Sequence, residues 1–190
     1  FYDCKELKRV KIPSSVTVIR GGAFSGCNGL TSVSLPHGVR SIEDGAFKDC
    51  TGLTSLELPT TLITIGAWSF GRCKGLTSVS IPASVTSVGD WAFGGCRGLT
   101  SVTIPDAVTN IGVSAFSGCH FTKVKIPDSV KSIGKEAFEY CVYLKDVSIP
   151  EAFADVISSV FPNCPDLRRL FIPVPFPKKC TAAKGSIDRA

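Results

Sequence analysis

Apolar residues along most of the chain fall at fixed places in a unit of about 23 residues, with Gly, Ser, Thr and charged residues between them. In the unit that opens at Phe93 those places are Phe93, Cys96, Leu99, Val102, Ile104, Val108 and Ile111. Across Val-x-Ile-Pro the pattern alternates, which predicts a short strand with one buried face: Val79 and Ile81 inward, Ser78 and Ser80 outward. Proline ends that strand because it has no N–H for a neighbour and holds the preceding residue extended. The Val-x-x-Ile-Gly segment then returns on the other side of the coil. Gly66, Gly89, Gly112 and Gly134 close it, for which either a positive φ or a close backbone approach is expected.

Two residue types keep the period independently. Cysteines stand at 4, 27, 50, 73, 96, 119, 141 and 164, with a ninth at 180 outside the series. Phenylalanines stand three residues before each of the first eight, from Phe1 and Phe24 to Phe138 and Phe161. The resulting pattern, A-F-x-x-C-x-x-L-x-x-V-x-I-P-x-x-V-x-x-I-G, has the period and apolar core of a leucine-rich repeat. It closely resembles the BspA-like class of these repeats over roughly residues 1–173. The resemblance implies a right-handed, mostly β solenoid within the α/β repeat class, with about eight coils, short strands and few helical turns. It also implies a role in adhesion or recognition and supplies no catalytic residues. A secreted or cell-surface location is favoured on this ground, and an intracellular or organellar assembly stays open.

Three departures from the pattern carry structural expectations. One residue is missing between Cys119 and Phe121, where Phe also replaces Leu, so that coil should be tighter. Ile157 and Val160 replace Gly and Ala in the last coil, and the proline-rich run from Phe171 to Pro177 reads as a cap, with 174–190 forming cap and tail. The chain starts inside a coil at Phe1, has no Met, and shows no leader pattern. An apolar end is therefore expected there, to be covered by further repeats or by a neighbouring subunit.

Composition agrees with one ordered domain: 44% hydrophobic residues and 19% charged. No apolar run approaches the roughly 20 residues of a membrane-spanning helix, so direct membrane insertion is not expected. The net charge of +5 lies toward the ends of the chain and makes no dense stripe, which argues against nucleic acid.

The cysteine series could suggest disulfides or zinc. Equivalent residues in stacked coils lie ~4.8 Å apart with parallel Cβ directions, unsuited to a disulfide torsion, and a straight row cannot converge on a metal. A buried ladder of thiols is expected, with Cys180 the accessible one. Only two histidines, His37 and His120, are present, both at turns. No nucleotide motif appears, so neither an active site nor a cofactor is expected.

Outward strand positions are basic or aromatic at the two ends of the stack: Arg9 and Lys11 at one, Lys123, Lys125, Arg169 and Phe171 at the other. Trp68 and Trp91 share one slot in consecutive coils, where neighbouring coils carry Gly45 and Ser114, so bulk is not needed there. These eight residues are the candidate contacts for a protein partner. The expected function is noncatalytic recognition or adhesion, with a structural subunit of a larger assembly as the alternative.

Overall fold

In a computed structural model of the chain, residues 1–173 are described. The cap and tail expected at 174–190, Cys180 included, lie outside the described residues. The strand segments predicted from Val-x-Ile-Pro form a parallel ladder: Arg9–Lys11, Ser32–Ser34, Ser55–Glu57, Val79–Ser80, Val102–Thr103, Lys123–Lys125, Asp146–Ser148 and Arg169–Phe171. These eight strands delimit about seven full turns of a mostly β solenoid. Register follows the repeat, with Val10 opposite Val33, Val33 opposite Leu56, and Val124 opposite Val147.

This ladder is hydrogen-bonded in runs of three, two and three strands. One interruption falls between Val102–Thr103 and Lys123–Lys125, across the shortened coil. There the backbone N–H of His120 donates to the carbonyl of Leu99, and the buried ring of Phe121 meets Phe116 edge-on at 5.9 Å.

The returning segment forms a second parallel ladder that the alternation did not reveal. Six two-residue strands, from Val18–Ile19 to Ser132–Ile133, stack with Ile19, Ile42, Ile65, Val88, Ile111 and Ile133 in register. The glycines that follow do not take positive φ. A Cβ at Gly66, Gly89, Gly112 or Gly134 would lie within 2.8 Å of backbone of the preceding coil, so close approach is what glycine permits there.

Between the ladders lies a core built by slot. Phenylalanine rings stack from Phe1 to Phe161 with centroids 5.1–5.5 Å apart. The leucine, valine and isoleucine slots fill the remaining width. In the last coil a 3-10 turn at Glu151–Val156 and a helical turn at Ile157–Val160 replace the second-ladder strand. The substitutions Ile157 and Val160 belong to that helical turn, and Val160 is buried by it.

Candidate functional site

The cysteine ladder is internal and structural in its contacts. Each thiol from Cys27 to Cys164 donates to the carbonyl of the phenylalanine one coil earlier, at 3.0–3.4 Å. Cys27 through Cys141 are buried, whereas Cys4 is exposed and Cys164 half-buried, so the thiol series is open at its first member. Burial pushes the Cys96 thiol up to about 12 and raises Cys73, Cys119 and Cys141 as well. Such thiols are poor nucleophiles. Among the described residues no group of three His, Cys, Asp or Glu side chains is arranged to hold a metal ion.

At the C-terminal end of the first ladder, Lys123, Lys125, Arg169 and Phe171 come together around a shallow hollow, with the strand segments at Val102, Val124 and Val147 between them. Asp146 stands among them. Its carboxylate accepts from the Arg169 guanidinium, with Nη2 to Oδ2 at 2.8 Å and a second contact from Nε, and Lys123 Nζ lies 3.9 Å away. The hydrogen bond from Arg169 holds the Asp146 carboxyl below its usual range. Phe171 is 65% exposed. Arg9 and Lys11 occupy the same ladder at its far end, exposed on the first strand, so the structure keeps the two basic groups apart.

Trp68 and Trp91 stack with centroids 4.8 Å apart and planes 5° from parallel. Both are half-buried, at φ of 56°. Their slot is left-handed in six coils: Gly22, Gly45, Ser114 and Glu136 stand there too, with φ between 51° and 65°. Glycine at 45 therefore has a backbone reason as well as a packing one, and a bulky residue in this conformation is uncommon. Each indole folds over a glycine of its own turn, where a Cβ at Gly71 or Gly94 would lie 2.7 or 2.5 Å from ring carbon Cε3. Lys48 Nζ sits 4.8 Å from the Trp68 ring centroid and the Arg72 guanidinium 5.5 Å. One face of the stack is thus used by the chain itself.

A third region is apolar and lies at the first coil, where Phe1, Val10, Ile12, Val16, Ile19, Ala23 and Phe24 line a hollow of about 380 Å³. These are core slots, seen from the open end of the stack.

With this geometry in place, the sequence pattern described as the BspA type leucine-rich repeat region matches residues 1–83 and 65–181, in six copies. The chain belongs to the BspA-type leucine-rich repeat family. Among solved structures it is similar to a leucine-rich repeat protein of Bacteroides ovatus, with 26% identity and a TM-score of 0.56 over 76% of this chain and 41% of that one. It is similar also to the leucine-rich repeat protein of T. pallidum, with 28% identity and a TM-score of 0.58 over 86% of this chain and 68% of that one. The chain thus spans less than half the length of the first of these relatives. No curated protein matches it in sequence. The repeat family suggests a scaffold of the protein-interaction or adhesion kind. No helix among the described residues is long and apolar enough to cross a membrane.

Proposed function

We propose that the chain is a noncatalytic recognition or adhesion module that holds a protein partner on the C-terminal end of its first ladder. The observation that carries this reading is the hollow that three cations, Lys123, Lys125 and Arg169, share with a single carboxylate, Asp146, and with exposed Phe171. An excess of positive charge next to the exposed Phe171 ring suits an acidic segment that also presents an apolar side chain. Strand positions on a repeat surface place such groups side by side without any need for a deep cleft. The noncatalytic part rests on the repeat family to which the chain belongs.

The test is capture of the partner from its native source, comparing the wild-type chain with a Lys123→Glu, Lys125→Glu variant at several salt concentrations. Loss of the partner in the variant supports the reading. Equal capture by both, with loss in a Trp68→Ala, Trp91→Ala variant, would move the binding face to the indole pair. The double tryptophan is the second reading, favoured by the uncommon positive φ at which both bulky residues are held.

A further inference from the structure

The slot before each cysteine is also left-handed, and its occupants decide the shape of the surface beside the tryptophans. It holds Asp3, Asp49, Arg72, Tyr140 and Asn163 at φ of 52–60°, a lone glycine at Gly26, and glycine in two consecutive coils at Gly95 and Gly118. The line of side chains is therefore broken across two coils. A Cβ at Gly118 would meet nothing nearer than the Gly95 backbone at 3.7 Å, so the space above is open. The gap forms a trough of about 490 Å³ with Trp91 on one wall and Tyr140 and Val142 on the other. That volume is within the roughly 300–1,000 Å³ of small-molecule sites.

Trp91 ends the indole stack. Trp68 covers one of its faces, and the next coil offers Ser114 in the same slot, so no ring continues the stack on the other side. Around the rim stand Arg97, Ser117, His120 and Glu139. Two of these are held in place: the Asn163 amide donates to Glu139 Oε1 at 3.3 Å, and His120 packs against Tyr143, edge to face, with centroids 4.8 Å apart. The rim offers donors and acceptors together, and its Arg and Glu balance in charge.

We propose that this trough is a saccharide site that takes a pyranose ring with equatorial hydroxyls, as in β-linked glucose oligomers. Such a ring has an apolar C–H face to lay on an indole and hydroxyls around its edge for the mixed donors and acceptors of the rim. A basic side chain is the competing occupant of an aromatic wall. The chain already supplies cations to this stack at its Trp68 end, through Lys48 and Arg72, and Arg97 at the Trp91 end repels another. The site lies on the turns, apart from the strand face proposed above for a protein partner, and stands or falls independently of it.

Cellotriose is the probe, titrated onto the whole chain and followed by tryptophan emission and by saturation transfer to the sugar protons. Saturable binding is expected, weakened at least tenfold in Gly118→Arg, which fills the trough. The backbone tolerates that change because Arg72 occupies the same slot at φ of 60°. Tyr140→Ala, at an exposed position on the opposite wall, is expected to weaken binding at least fivefold and keeps the test alive if the glycine variant misfolds. An oligomer with an axial hydroxyl, β-1,4-galactotriose, should bind several-fold more weakly than cellotriose. Absence of saturable binding, or wild-type affinity in both Gly118→Arg and Tyr140→Ala, would overturn the proposal. So would emission changes produced by Nα-acetyl-lysine amide in place of cellotriose and abolished by Glu139→Gln, the behaviour of a cation site.

Discussion

The thiol of Cys96 donates to the backbone carbonyl of Phe70, 3.1 Å away across one coil boundary. That carbonyl also accepts from the N–H of Cys73 within its own turn, at 3.2 Å. The arrangement recurs along the stack, so each cysteine ties its coil to the one before. Cys96→Ala should cost about 1–2 kcal/mol, from a lost hydrogen bond and lost buried sulfur contacts. Cys4→Ala, at an exposed residue, should stay within about 0.5 kcal/mol of wild type. Urea midpoints of the two variants check this, and equal losses would contradict it.

The same thiols predict an alkaline limit to stability. Burial raises Cys96 from its ordinary 9.0 to about 12, so the folded chain keeps protons that the unfolded chain releases. Stability from this source is present in full below about pH 9 and is lost as pH rises toward 12. Urea midpoints should be flat from neutral pH to about 8 and fall above 9. Cys96→Ala should fall less steeply.

Ser69 occupies a slot that is alanine in five other coils, at Ala23, Ala46, Ala92, Ala115 and Ala137. Its hydroxyl is buried without a hydrogen-bond partner. Ser69→Ala should therefore stabilise the array by about 1 kcal/mol, read as a rise in the thermal midpoint.

Gly112 sits where a Cβ would come within 2.5 Å of the Asp90 nitrogen and 2.6 Å of the Gly89 carbonyl carbon. These are backbone atoms and cannot swing aside. Gly112→Ala should destabilise by about 2 kcal/mol or more, although its φ would accept alanine. At Gly45 the order reverses, since φ of 65° is the obstacle and the space is open to within 3.9 Å of Lys48 Cβ. Gly45→Asn, a residue that tolerates this conformation, should cost less than Gly112→Ala in the same denaturation assay.

For the strand face, reversing Lys123 and Lys125 to Glu should slow partner association by an order of magnitude or more at low salt, with dissociation changing less. The effect should shrink as salt rises. A salt-independent loss would point to packing around Phe171 instead of charge.

The 23-residue period by itself determined the solenoid, because stacking identical units puts identical slots in contact and so fixes the phenylalanine row, the cysteine row and the outward strand positions. Alternation over Val-x-Ile-Pro marked the first ladder, whereas the second escaped notice because its strands are two residues long and give alternation no room to appear. The left-handed slots were also hidden. A tryptophan, a serine and a glycine share one φ at positions 68, 114 and 45 only because inter-coil hydrogen bonds, such as Trp68 N–H to the Asp90 carbonyl at 2.8 Å, impose it on whatever residue stands there. Asp146 and Arg169 share a slot in adjacent coils, so the repeat already set them side by side, whereas tertiary structure alone decided that Trp91 and Tyr140 would line one trough. Those two residues stand two coils apart at different slots, and a repeat alignment compares like slots while leaving the distances between unlike ones to the packed chain.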